Sequence, residues 1–184
     1  PSVLSVITKL KNQSKITIQP KQIISVAEVL TQEDRKNIEN TFQVKISEVY
    51  QCTEGFLAAS CKEGTLHFNE DYLIIEKKYI NAEKTKFHPV ITDLLRKTQP
   101  IIRYELNDII SEKKNCACGN AYIGIQQIEG RSDDIIIMKN TKGEKITIFP
   151  DIIRRTVVLS DSNIDDYKVT YKSFTFHLAI KSQN

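Results

Sequence analysis

Tyr50-Gln51-Cys52-Thr53-Glu54-Gly55 is the stretch on which the reading of this chain turns. It follows Phe42-Gln43-Val44-Lys45-Ile46, whose alternation predicts a short strand running into a loop. A hydroxyl beside a carboxylate at the mouth of a strand suits a phosphate oxygen and its magnesium, because hard cations take oxygen ligands. Thr and Glu also stand together in ordinary solvated turns, so the pair alone leaves both readings open. The order of the downstream motifs gives the pair its weight: Cys61 and His67, then Arg103-Tyr104-Glu105-Leu106-Asn107-Asp108, then Cys116-Ala117-Cys118-Gly119, then Gly130-Arg131-Ser132-Asp133-Asp134.

Upstream, Val3, Leu4, Ile7 and Leu10 recur at helical spacing and predict a helix from Pro1 to Lys11. Lys15 to Ile18 alternates, Pro20 interrupts it, and Ile23 to Ala27 predicts a buried strand. Thr31-Gln32-Glu33-Asp34 matches a capping box, with Leu30 placed as a staple and Ile38 and Phe42 on the inner face of the helix it opens. This is α/β wiring, and sites in such sheets gather beyond the carboxyl ends of strands. After Gly55 the texture changes to short runs rich in β-branched and aromatic residues, at 65–68, 72–76, 87–92, 100–104 and 122–128, which predict an antiparallel or barrel-like β subdomain. Beyond Gly130 to Asp134 come a strand at 135–138, a turn at Gly143, a strand at 145–149 and a helix that Pro150 starts from its first turn. The alternation of Tyr167, Val169 and Tyr171, then Phe174, Phe176, Leu178 and Ile180, predicts a closing hairpin.

The chain has 184 residues, 40% of them apolar and 27% charged, which is the make-up of a folded globular protein. A net charge of +3 is too small and dispersed for a nucleic-acid binder, and basic clusters such as Lys9 to Lys15 read as solvated faces. The first residues lack the basic-then-apolar pattern of a signal peptide, and no apolar run reaches the length of about 18 residues that a membrane span needs, so a cytoplasmic protein is expected. The only Met is Met138, which leads us to expect an internal or C-terminal piece of a longer protein.

Three thiols and an imidazole, Cys61, His67, Cys116 and Cys118, make a complete tetrahedral set for zinc if two β loops bring them together. Gly119 beside the C-x-C pair would let backbone amides turn toward the sulfurs. A disulfide and unrelated buried thiols are the alternatives, though a Cys116–Cys118 bridge would be strained. Cys52 reads as a core or wall thiol, and His88 and His177 as strand or surface positions.

In this order the motifs resemble the adenylate-forming superfamily of acyl-CoA ligases and related synthetases. Within it, the chain is most similar to the phenylacetate-CoA ligase-like branch, and there to adenylate-forming enzymes related to the synthetases of the methanogen deazaflavin coenzyme and to capsule-biosynthesis relatives. The resemblance runs from Ile24 to about Tyr167. It implies that Tyr50 lies against the adenine or acyl pocket, that Thr53 contacts the nucleotide phosphate, and that Glu54 helps hold magnesium. Gln51 stands where the family has Gly. Tyr104 to Asp108 resembles the family's Tyr-Arg-x-Gly-Asp, with Glu105 and Asn107 departing from it, and implies that Asp108 binds the ribose hydroxyls. Gly130 to Asp133 resembles Gly-Arg-x-Asp, which implies that Arg131 reaches the ribose or α-phosphate and that Asp133 is a hinge. Cys61, His67, Cys116 and Cys118 fall where members of this branch carry a metal cluster, which favours structural zinc over the alternatives.

The family's Gly/Ser/Thr-rich phosphate loop occurs nowhere in the chain, and Lys168, Lys172 and Lys181 lack the Gly-rich context of its C-terminal catalytic lysine. The expected fold class is therefore α+β or α/β, made of the end of a large adenylation domain and the start of a small C-terminal one. Its parts would be residues 1–58, an α/β subdomain, 59–130, a zinc-bearing β subdomain, and 131–184, the hinge and part of the small domain. The implied activity is ATP-dependent adenylation of a carboxylate or other acceptor, with magnesium and an onward transfer to CoA among its options, and with this chain alone inactive. The alternative is a non-catalytic zinc-stabilised scaffold that kept the fold.

Overall fold

The computed structural model describes residues 2–140, 142–161, 164–172 and 175–182. The chain divides into two compact units, one of residues 1–106 and 110–128, the other of 107–109 and 129–184.

The first unit opens with α1 (Ser2–Asn12), β1 (Ile23–Val26), α2 (Gln32–Phe42) and β2 (Ile46–Cys52). Thr31 caps α2, its hydroxyl accepting from the Asp34 amide at 3.0 Å and donating to the Asp34 carboxylate at 2.6 Å. Ile38 and Phe42, one helical turn apart, are almost wholly buried with Leu30, Ile23 and Ile46. Burial of each large side chain of this kind contributes about 1.5–3 kcal/mol. The strand expected from Phe42 to Ile46 is corrected by this packing. Phe42 ends α2, and Gln43 closes it in the left-handed conformation (φ 54°), its amide donating to the Glu39 carbonyl. The true strand begins at Ile46, so Tyr50, Gln51 and Cys52 lie within β2 rather than in a loop beyond it.

β1 and β2 are parallel, as a helical crossover permits. β1 alternates buried and exposed residues and lies at the sheet edge, so it is half-buried rather than the buried strand expected. No strand forms at Lys15 to Ile18, where the Lys11 ammonium donates to the Ile18 carbonyl at 2.9 Å. In α1, Val3 is 70% exposed and Thr8 takes the buried position, its hydroxyl donating to the Leu4 carbonyl.

The next strands are β3 (Gly55–Ser60), β4 (Leu66–Phe68), β5 (Leu73–Tyr79), β6 (Lys86–Asp93), β7 (Tyr104–Glu105), β8 (Asp108–Lys113) and β9 (Gly124–Arg131). They join β1 and β2 in a single open sheet of nine strands, in the order β1-β2-β3-β4-β9-β8-β6-β5 with β7 against β6. The barrel-like alternative is thus replaced by an open sheet. A mixed α+β architecture with one large sheet is the fold class expected. Leu57, Ala58, Phe68, Phe87, Ile91 and Ile110 form its main core, each at 0% exposure. The segment 100–104 is mostly irregular, with Arg103 at φ 48°.

The second unit holds a one-turn 3-10 helix at Ser132–Asp134, the hairpin β10 (Ile136–Lys139) and β11 (Lys145–Ile148), α3 (Pro150–Ser160), and the hairpin β12 (Ile164–Lys172) and β13 (Thr175–Ser182). Pro150 stands in the first turn of α3, as expected. In β12 and β13, Tyr167 faces Ile180, Val169 faces Leu178 and Tyr171 faces Phe176, so the apolar residues share one face. Phe174, part of the expected alternation, lies outside the described residues. Gly130 has φ +124°, and a Cβ there would come within 3.0 Å of Pro150 Cγ, so both backbone conformation and close approach call for glycine. No described helix is long and apolar enough to cross a membrane.

Candidate active site and metal centre

Cys61 begins the turn from β3 to β4, where its amide donates to the Thr65 carbonyl at 2.8 Å and the Gly64 amide returns to the Cys61 carbonyl at 2.9 Å. His67 lies in the middle of β4 at 4% exposure. Cys116 and Cys118 sit on the loop between β8 and β9, and the Asn120 amide past Gly119 (φ +78°) points at Cys118 Sγ from 3.4 Å, as the C-x-C-Gly reading anticipated. The four ligand atoms all lie within 4.8 Å of one another. His67 Nδ1 is 3.0 Å from the Tyr122 carbonyl, which only accepts, so Nδ1 carries the proton and Nε2 offers its lone pair to the cluster.

The spacing fits a tetrahedral ion. Zinc–sulfur and zinc–nitrogen bonds of about 2.3 and 2.05 Å at a tetrahedral angle place two sulfurs about 3.8 Å apart and a sulfur and a nitrogen about 3.6 Å apart. Cys61 Sγ and Cys116 Sγ are 3.7 Å apart, and Cys118 Sγ and His67 Nε2 are 3.4 Å apart. All four cysteines of the chain are free thiols. The cluster's electrostatics point the same way. The Thr65 hydroxyl, then the Cys118 backbone amide and His67, hold the Cys116 thiol down to about 6. At Cys118 the Asn120 amide favours the thiolate, but burial and the neighbouring Cys116 and Cys61 outweigh it and push the thiol up. A divalent cation removes that conflict by letting every thiol ionise at once. Beside the cluster lies a cleft of about 360 Å³ lined by Lys77, Lys113, Glu112 and Asn120.

Thr53 and Glu54 are the two connecting residues of the β2–β3 hairpin, in which Cys52 pairs with Gly55. A register shift at Tyr50/Gln51 leaves Leu57 as the extra residue of a β-bulge in β3. Tyr50 packs edge-on against Phe68, ring centroids 6.4 Å apart. The Cys52 thiol, the Tyr104 hydroxyl and the Arg96 charge hold the Glu54 carboxyl below its ordinary value. Burial, then the Glu54 carboxylate, pushes the Cys52 thiol up to about 11, so Cys52 is a wall thiol rather than a nucleophile. Tyr104 in turn is raised, chiefly because Glu54 accepts its hydrogen bond. Arg96 caps the turn from outside, Nη1 donating to the Glu54 carbonyl at 2.9 Å and both Nη1 and Nη2 donating to the Thr53 carbonyl at 3.2 Å.

Asp108 and Arg131 belong to the second unit, where Asp108 Oδ1 lies 3.9 Å from Arg131 Nε. Asn107 Nδ2 donates to Asp133 at 2.9 Å, and the Ser132 amide to the Asn107 carbonyl at 2.8 Å. The two resembling motifs are therefore tied to each other through Asn107 and Asp108. Sequence reasoning missed Arg96 and the partnership of Tyr104 with Glu54. The Asp93-Leu94-Leu95-Arg96 turn carries an Asx signal for position but none for the guanidinium's target.

No family model matches the chain. Protein CapK of Staphylococcus aureus is 28% identical over 131 residues, which cover 69% of this chain and 28% of CapK. Among solved structures, an open conformation of 2-hydroxyisobutyryl-CoA ligase in complex with 2-HIB-AMP and CoA superposes with a TM-score of 0.70 at 19% identity, over 98% of this chain and 44% of that one. Coronafacic acid ligase from Pectobacterium brasiliense gives 0.60 at 15% identity, over 100% of this chain and 38% of that one. The A domain of a carboxylic acid reductase from Segniliparus rugosus, in complex with AMP and a co-purified carboxylic acid, gives 0.61 at 12% identity, over 100% and 34%. The chain thus has a fold shared with these two ligases and with that A domain, and it spans less than half of each of them.

Proposed function

We propose that this chain is the C-terminal portion of an ATP-dependent adenylate-forming ligase of the phenylacetate-CoA ligase-like branch, with a structural zinc. The observation that carries the reading is the match over 98% of the chain to a CoA ligase seen with an acyl adenylate and CoA, joined to the motif order Thr53-Glu54, Asp108, Arg131. ATP and Mg²⁺ would supply the phosphoryl chemistry. Thr53 would donate to a phosphate oxygen, Glu54 would stay ionised to hold the cation, Asp108 would accept from the ribose hydroxyls, and Arg131 would balance phosphate charge. Tyr50 would wall the adenine or acyl pocket. The four-ligand centre would fix the loop between β8 and β9 against the turn from β3 to β4, a folding role. Onward transfer to CoA, the kinship with deazaflavin-coenzyme synthetases and a cytoplasmic location belong to the same proposal. Coverage of only 28% of CapK and 44% of the ligase supports a longer parent protein, in which the remaining segments complete the nucleotide site.

The test is hydroxamate trapping with the full-length protein, ATP, Mg²⁺ and a broad panel of carboxylates. Hydroxamate formation that depends on ATP and is abolished by Glu54→Gln supports the reading. A full-length protein that gives none with any carboxylate, yet binds zinc and stays folded, would favour the scaffold alternative.

A further inference from the structure

The connection between β2 and β3 is two residues long, and hairpins of that length favour turns with positive φ at one or both central positions, usually supplied by Gly or Asn. Here the central residues are Thr53 and Glu54, and neither has positive φ. Such a turn is not matched to the twist of its strands, so its geometry needs support from outside the hairpin. Arg96 provides it. Its guanidinium makes three hydrogen bonds, all to the backbone carbonyls of these two residues, at 2.9 to 3.2 Å. The arginine's own backbone is fixed in turn, because the Asp93 carboxylate accepts from the Leu95 amide at 2.8 Å and from the Arg96 amide at 3.0 Å. Asp93 ends β6, so the clamp ties the hairpin turn to a strand on the far side of β4, β9 and β8 in the sheet order.

We propose that Arg96 is a positioning residue that holds the Thr53-Glu54 turn in the geometry required for nucleotide activation, acting through backbone carbonyls and touching no substrate; the assignment rests on the adenylation reading above. A planar guanidinium suits the task. Its fork reaches two carbonyls at once, whereas an ammonium is a single point of charge that satisfies one direction well. The Thr53 hydroxyl and Glu54 carboxylate extend from the two residues whose carbonyls are clamped, so a loosened turn displaces both groups together. A displacement of about 1 Å in such groups costs on the order of 100-fold in rate.

The experiment is ATP–pyrophosphate exchange by the full-length protein carrying Arg96→Met or Arg96→Lys, read as kcat and KM for ATP, with zinc content and thermal midpoint measured alongside. For Arg96→Met the expected result is a kcat lower by roughly ten- to a hundred-fold with KM for ATP changed little, and for Arg96→Lys a partial recovery. Zinc content should remain at the wild-type value. Amide hydrogen exchange supplies a second readout that needs no activity: protection at Thr53, Glu54 and Gly55 should fall in Arg96→Met while His67 keeps its protection. If kcat and protection both stay within about twofold of wild type, the clamp does not position the turn, and the proposal is overturned even though adenylation stands. If the wild-type protein exchanges no pyrophosphate with any carboxylate, the adenylation reading fails and Arg96's assignment to it falls too.

Discussion

Cys61, His67, Cys116 and Cys118 all belong to the first compact unit and converge within 4.8 Å, whereas the residues proposed to hold the nucleotide are shared out, Thr53 and Glu54 in that unit and Asp108 and Arg131 in the other. The first set closes its own geometry: the sulfur and nitrogen spacings are those of a tetrahedral ion, and the Tyr122 carbonyl fixes the imidazole tautomer. The second set is organised in local pairs, Glu54 with Tyr104 and Cys52, Asp108 with Arg131. A structural metal site can be complete within one unit because its work is folding.

The largest effect should come from opening the closed set. Cys118→Ser removes a proposed zinc ligand and should cost on the order of several kcal/mol, because a structural metal's binding energy is folding energy. Cys52→Ser, a wall thiol outside the cluster, should cost about 1 kcal/mol, near the centre of ordinary single substitutions. Thermal denaturation of both variants, with and without a chelator, measures the contrast. Equal losses would mean that the cluster holds no structural metal. Acid should have the same direction of effect as chelation. The thiolates and the neutral imidazole bind metal only when deprotonated, so zinc is held at high pH and released as pH falls.

The divided set should answer differently. Asp108→Ala in the full-length protein should weaken ATP by about 1.5–3 kcal/mol, roughly ten- to a hundred-fold, by removing the charge-assisted hydrogen bond proposed to the ribose. Zinc content should not change. Calorimetric titration with ATP reads the first and elemental analysis the second, and a loss of zinc with no loss of ATP affinity would reverse the roles assigned to the two regions. Within the second unit, Gly130→Ala meets Pro150 Cγ at 3.0 Å from a backbone at φ +124°. The strain should cost about 1–3 kcal/mol, seen as earlier loss of amide protection in α3 with the metal centre intact. An effect as small as that of Cys52→Ser is expected at Thr31→Ala, which removes the α2 cap and should lower stability by about 1 kcal/mol without touching either region.

The parts legible from sequence were those in which residue type and spacing carry the chemistry. Three thiols and a histidine mark a candidate metal shell, and the fold brings the four together; Thr31 to Asp34 announces a helix start through hydrogen bonds between near neighbours. Phe42 to Ile46 misled because a short apolar alternation is shared by a strand and by a helix that ends in a left-handed cap; the tertiary burial of Phe42 beside Ile38 decides between them. β3 and β8 were missed for a related reason. Gly55 to Ser60 sets only Phe56 and Leu57 among small residues, with Ala58 and Ala59 paired to β4, and Asp108 to Lys113 carries polar residues at both ends. Arg96 was invisible because its partners are backbone carbonyls more than 40 positions away, at |i−j| of 42 and 43.

The most direct measurement is ATP–pyrophosphate exchange by the full-length protein beside the isolated 184-residue chain, each with the same carboxylate panel and each assayed for bound zinc. The expected outcome is exchange by the full-length protein only, with one zinc per chain in both. Exchange by the isolated chain would show that the nucleotide site is complete without further segments. A full-length protein that keeps its zinc and exchanges nothing would contradict the central claim that this fold serves adenylation.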